Sequence, residues 1–388
     1  MHRIRFVPVV AAACCMAASI ARGGNVTAVV KHGSLVLSGS ATVDRIFLSQ
    51  VDPANPHRIR VEPGVATTLN GLGTPQSFSG VTRDVRASLG DGDDVFDLSS
   101  GALPRGLVLH CGSSGSPSLS IFGTVKGNVR VDTEGAALDV SISNGIVGGD
   151  FRVVGGPQAD FVNLISHSLI GGDLTLRMNG GADHFNLSQS TFAGRTTLSG
   201  GPGANTYSLS GSTFGGRVLV AGGAEAEMLH APDSFFRGSV RFSLGESDAV
   251  MGNVVESLRS SFARDVRISG GSGRDSCSFD QSEALRRVRF DGGAGPNSFA
   301  SDFGSAESFD LRGGGGVDSI SMGGSIVATR DLLIRSGAGD NVVIVSSAMV
   351  GNAFTVRAGA GDDTLTVTNV QVLGKERFDL GGGTNSGP

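Results

Sequence analysis

The chain has 388 residues, 61 of them Gly, with 31 Lys and Arg against 36 Asp and Glu and a formal charge of −5. Glycine at more than twice its usual share of about 7% points to a repetitive or turn-rich chain, and the acidic balance gives no basis for a nucleic-acid partner. There is no Trp and a single Tyr, which leaves out the aromatic platforms that many carbohydrate-degrading sites use.

Residues 1–21 read as a secretory signal peptide: Arg3 and Arg5, an apolar run from Phe6 to Ala18, then small residues at Ser19 and Ala21. Cleavage is expected after Ala21, with a lipoprotein-type cut before Cys14 as a poorer second. No later stretch approaches the 18 or so apolar residues of a membrane span. The mature protein is therefore expected to be exported, secreted or held in the periplasm or at the cell surface. Losing two Arg and no acid moves its formal charge from −5 to −7.

Residues 22–84 read as an N-terminal cap with degenerate first coils. LVLSGSATVDRIFL (35 to 48) aligns with the pattern that follows, Asp44 taking its turn position, and HRIRVEPGVATTL (57 to 69) looks like a degenerate coil.

From Val85 onward (85–388) one pattern recurs. HFNLSQSTFAGR begins at His184 and TYSLSGSTFGGR 22 residues later, and the apolar starts of thirteen such units, from Val85 to Phe354, stand 21 to 26 residues apart. A fixed period in this range marks a solenoid or similar array. Within a unit, Val266 and Ile268 alternate with Arg267 and Ser269, and Cys277 and Phe279 with Ser276 and Ser278; GGSGRD lies between. Period-two arms are strands with one buried face, and a Gly- and Asp-rich link suits positive φ. One unit cannot bury its own face, but coils stacked about 4.8 Å apart bury a continuous column. The predicted fold is all-β: a single-stranded parallel β-helix of roughly fifteen coils, about 70 Å long. The inward column is expected to run Val140, Val162, Phe185, Tyr207, Leu229, Met251, Cys277, Phe299, Ile320, Val343 and Leu365. Cys111 and Cys277 fall seven coils apart, about 34 Å, too far for a disulfide.

The sixth position of each glycine turn holds Asp94, Ser116, Leu138, Asp160, Asp183, Asn205, Glu227, Ala249, Asp275, Asn297, Asp318, Asn341 and Asp363. Asp160 and Asp183 are the one pair of neighbouring aspartates, and from Asp275 onward Asp and Asn alternate. Alternation suits a metal-free ladder that keeps like charges apart.

GGGGVDSIS (313 to 321) fits the nonapeptide G-G-x-G-x-D-x-U-x, and AGAGDDTLT (358 to 366), LGDGDDVFD (89 to 97) and GGSGRDSCS (270 to 278) come close. These turns resemble the calcium-binding repeats of RTX proteins, although this chain has one such turn per coil of 22 residues where those have two per coil of 18. The resemblance implies Ca²⁺ held between adjacent turns, with Asp160, Asp183, Asp318 and Asp363 as candidate metal ligands. As a whole the chain also resembles the glycine-rich secreted repeat proteins of environmental bacteria, planctomycetes in particular.

Parallel β-helices often act on polysaccharides, so catalysis is weighed as the alternative reading. Against it, Tyr207 points inward, Lys31, Lys126 and Lys375 are the only lysines, and His110, His167, His184 and His230 take different positions in the repeat. No nucleophile elbow, phosphate loop or zinc spacing is present. The best binding candidate is a column of outward arginines, Arg241, Arg267 and Arg289 in successive coils, preceded by Arg86, Arg130 and Arg152. The longest unit carries extra material, read as VVESLRSSFA (254 to 263), which sets Arg259 beside this column. Stacked guanidinium groups repel unless something anionic lies across them; turn acids such as Asp291 and Asp310 are one source, an acidic polysaccharide or other surface polyanion another. The favoured function is a non-catalytic, adhesin-like or structural solenoid of the cell surface or extracellular matrix; the alternative is a polysaccharide-active β-helix lyase or hydrolase.

Overall fold

A computed structural model describes residues 24–50, 54–55, 57–246 and 252–387. The predicted signal segment, Ala249 and Met251 lie outside these residues.

The described chain is a parallel β-solenoid of stacked coils, most of them with three strands; in Glu283–Gly293, Ser305–Gly314 and Ile326–Gly337 the third strand of one coil runs on into the first arm of the next. In one coil the first arm is Phe151–Val154, the second Phe161–Ile165, and a two-residue third strand, Leu169–Ile170, closes the triangle. First arms pair only with first arms: Phe151 lies beside Val129 on one side and Leu174 on the other. Second arms do the same, Val162 standing between Val140 and Phe185. Among the described residues no helix is long and apolar enough to cross a membrane.

The inward column expected from the sequence is buried at every described position, from Val140 and Phe185 at 0% exposure to Leu365 at 4%. Two members of the register differ from expectation. Val255, not Met251, pairs with both Leu229 and Cys277, so VVESL is an ordinary second arm and the extra residues of the long unit precede Asn253. One residue also slips in the second unit: Leu119 pairs with Phe96 and Val140, which moves the turn position from Ser116 to Pro117.

The third strands carry a column that period-two reading of the longer arms does not reach. Phe192, Phe214, Phe236 and Phe262 stack face to face with centroids 4.7–5.1 Å apart, which is the strand spacing itself. Beside them Ser190, Ser212, Ser234 and Ser260 are buried, each donating its main-chain N–H to the serine Oγ of the next rung: the Ser190 N–H donates to Ser212 Oγ at 3.0 Å, and Ser212 Oγ donates to the Leu187 carbonyl at 2.8 Å. The recurring S-x-F of HFNLSQSTFAGR and TYSLSGSTFGGR is this Ser–Phe rung.

The two ends differ. LVLSGSATVDRIFL does stack in parallel, Leu35 beside Val85 and Ile46 beside Phe96. HRIRVEPGVATTL is not a coil: Ile59–Pro63 runs antiparallel to Arg45–Gln50, and Asn25–Lys31 antiparallel to Ser34–Ser38, closing the N-terminal end. The regular stack therefore holds about thirteen turns of the roughly fifteen expected. At the C-terminal side Lys375–Asp379 adds one parallel strand to Ala353–Ala358.

Candidate functional site

The glycine turn holds a continuous interior ladder. The N–H of each turn residue donates to the side-chain oxygen of its counterpart one coil further on: Leu138 to Asp160 at 2.7 Å, Asp160 to Asp183 at 2.9 Å, Asp183 to Asn205 at 3.0 Å, and so on to Asp363 and Asn385 at 2.9 Å. With the corrected register Asn253 takes the place expected for Ala249, receiving the Glu227 N–H at 2.9 Å. Acid and amide then alternate from Asp183 to Asn385 without a break. The amide supplies a second bond wherever it precedes an acid: Asn253 Nδ2 donates to Asp275 Oδ1 and Asn341 Nδ2 to Asp363 Oδ1, both at 2.7 Å. Burial pushes the Asp160 carboxyl up to about 6 and those of Asp94, Asp183 and Glu227 up to about 7.

The carboxylates named as candidate Ca²⁺ ligands are used at least in part by the ladder itself. Asp318 spends Oδ1 on Asn297 and Oδ2 on the Gly314 N–H, and Asp363 Oδ1 is taken by Asn341. Asp160, Asp183 and Asp363 each keep one unpartnered buried oxygen, and of these only Asp160 and Asp183 stand in neighbouring coils, two carboxylate donors where calcium takes six to eight ligands. Among the described residues no group of three or more His, Cys, Asp or Glu side chains is placed to hold a metal. The turns share the nonapeptide's letters because Gly and Asp are what a tight, positive-φ turn with a ladder bond selects.

The outward face of the first arms is where charge gathers. Register places Arg241 beside Arg267 and Arg267 beside Arg289, so the three guanidinium-bearing rungs are consecutive. Arg241 and Arg267 are exposed and form no ion pair with a described residue; the Arg241 Nε donates to Ser243 Oγ at 3.0 Å. Arg289 is half-buried, 3.2 Å from Asp291 and 4.0 Å from Asp310. Asp310, the next residue of the column, also meets Arg312 at 3.2 Å and Arg335 at 2.9 Å. The column is thus neutralised at its C-terminal end and open at Arg241 and Arg267.

Arg259 is not part of it. It sits on the corner between second arm and third strand at φ 50°, the left-handed corner also taken by Asp233 and Gln281 in the flanking coils, and its fork is closed on Asp233 at 2.7 and 2.9 Å. The misplacement follows from reading 254–263 as an insertion rather than as strand, corner and strand.

The same face carries the early arginines. Arg86, Val108, Arg130 and Arg152 form one column. Beside it His110 lies 3.7 Å from Asp132, in a cleft of about 420 Å³ that Asp91 and Glu134 also line. The other histidines stand apart: His184 against the Phe161 ring and His230 2.7 Å from Glu256. No known protein family, curated protein or solved structure matches the chain.

Proposed function

We propose that the chain is a non-catalytic, exported β-solenoid of the cell surface or extracellular matrix that holds an acidic polysaccharide along its outward first-arm face. The supporting observation is the consecutive pairing of Arg241, Arg267 and Arg289, two of which form no ion pair with a described acid. Guanidinium groups repeating about every 4.8 Å offer forks to carboxylates or sulfates of a chain running parallel to the axis. Each contact is solvated and weak, so affinity comes from several together and falls with salt. The triple variant R241Q/R267Q/R289Q should elute from heparin or alginate resin at lower salt than the parent while melting like it; elution of both at the same salt would sink the reading.

The cleft of His110 and Asp132 favours a second reading, a polysaccharide-active enzyme, since an imidazole beside a carboxylate can move a proton. Incubation with a panel of acidic polysaccharides decides between the two: new reducing or unsaturated ends that disappear in H110A would make the protein an enzyme.

A further inference from the structure

The first regular coils carry a second basic feature, apart from the Arg241 column by five rungs, about 24 Å. Two clefts of about 550 and 400 Å³ adjoin there, Arg105 and Asp84 lining both; Arg83 and Arg86 complete the first and Arg130 the second. Arg130 Nε is held by Asp132 at 2.5 Å, so three guanidinium groups, those of Arg83, Arg86 and Arg105, face the one carboxylate of Asp84, in a chain whose formal charge is −5. That carboxylate is itself engaged, Asp84 Oδ1 receiving the Gly106 N–H at 3.1 Å and Oδ2 lying 3.7 Å from Arg86. Arg83 and Arg105 are exposed and form no ion pair with a described residue.

The shape follows from the repeat. Arg86 and Arg130 lie one rung either side of Val108 in the outward column, so a short apolar side chain floors a gap about 10 Å wide between two arginines. Arg83 and Arg105 stand at the corner, each two residues before a first-arm strand. At the equivalent place in the next coil is Gly127, which lines the cleft and adds no side chain to close it. Gly106 cannot be otherwise, since a Cβ there would lie 2.7 Å from the Asn128 carbonyl.

We propose that this notch binds a multiply charged oxyanion, a sulfate or phosphate group, either as a free ion or as an ester on a glycan. Arg83 and Arg105 form no ion pair with a described residue, so a single carboxylate would leave one of these two charges uncompensated, whereas a tetrahedral dianion matches both and accepts several forked N–H pairs at once. The site is separate from the Arg241 column and does not depend on the reading of that column.

Calorimetric titration with a fully sulfated heparin tetrasaccharide, and separately with inorganic sulfate, tests it. In the R241Q/R267Q/R289Q background, which removes the other column, the tetrasaccharide should still bind and should weaken at least tenfold when R83Q/R105Q is added, each variant melting like the parent. V108R separates a shaped notch from general attraction: it adds positive charge but fills the floor, so the notch predicts weaker binding and general attraction tighter. Inorganic sulfate binding as tightly as the tetrasaccharide would assign the site to the free ion. No titratable binding by the parent, unchanged affinity when R83Q/R105Q is added, or tighter binding by V108R would each overturn the proposal.

Discussion

Asn297 gives the same oxygen of Asp318 two hydrogen bonds, from its main-chain N–H at 2.8 Å and from its side-chain amide at 3.0 Å. The amide has a proton to give and the carboxylate only lone pairs, so the pair works in this order and fails when both members are acids. Asp160 and Asp183 are such a pair, and each retains a buried oxygen with no donor. Asp160→Asn should therefore stabilise the fold at pH 8 by about 1 kcal/mol, the worth of one added hydrogen bond, as the new amide reaches Asp183. A chemical denaturation series on the two proteins would show it as a higher midpoint with the same slope; a lower midpoint would contradict the ladder.

The buried acids also set the response to pH. Burial raises Asp94, Asp183 and Glu227 to about 7 and Asp160 to about 6, above the ordinary carboxylate range near 4 that the unfolded chain keeps. Between about pH 4 and 7 the folded state thus binds more protons than the unfolded one, so this contribution is fully present below pH 4 and is lost as pH rises through 7. The melting temperature should be higher at pH 5 than at pH 8, opposite to a protein held by surface salt bridges. The difference should shrink in D183N, which removes one of the raised groups.

Chelation should leave melting unchanged. Each turn carboxylate gives at least one oxygen to an N–H group of the ladder, so the fold is held by those bonds and excess EDTA at low salt removes nothing it uses. A fall of several degrees would mean that a bound ion contributes by mass action and that the turns hold calcium after all.

The phenylalanine stack makes its own forecast. Phe214 lies between Phe192 at 5.1 Å and Phe236 at 4.9 Å and is fully buried. Phe214→Ala should cost about 3–5 kcal/mol through the cavity it opens between fixed rungs. Phe214→Leu, which keeps most of the volume, should cost clearly less. Denaturation midpoints rank the two.

At Gly293 the backbone has φ +90°, and a Cβ would lie 2.0 Å from the Gly271 carbonyl of the preceding coil. Gly293→Ala should lower the melting temperature by several degrees through the collision and the left-handed strain together. Gly382, around which the space is open, should accept Ala with little change.

Much of this architecture is legible in the residues. The period and the alternation place Phe185, Tyr207 and Ile320 inside because a stacked coil has one possible inward face per arm. What the letters hide is length change inside a coil. Nothing in GESDAVMGNVVESL says whether the extra residues precede or follow Asn253, and only the pairing of Val255 with its two neighbours decides it. The same ambiguity displaced Arg259. The Ser–Phe rung was visible as a repeated motif, yet a two-residue strand is too short for periodicity to reveal which side chain turns inward. The notch was missed because its floor is a valine, and an arginine column is noticed where it continues rather than where it is interrupted.

The antiparallel strands at Asn25–Lys31 and Ile59–Pro63 cover the N-terminal face of the stack. In a solenoid whose stability sums over neighbouring coils, an uncovered strand edge is a template on which another chain can pair. Strands that turn back against the stack remove that template, so a second copy cannot continue the parallel ladder through this face. The cap thus gives the stack a direction: coils can be added or lost only away from it.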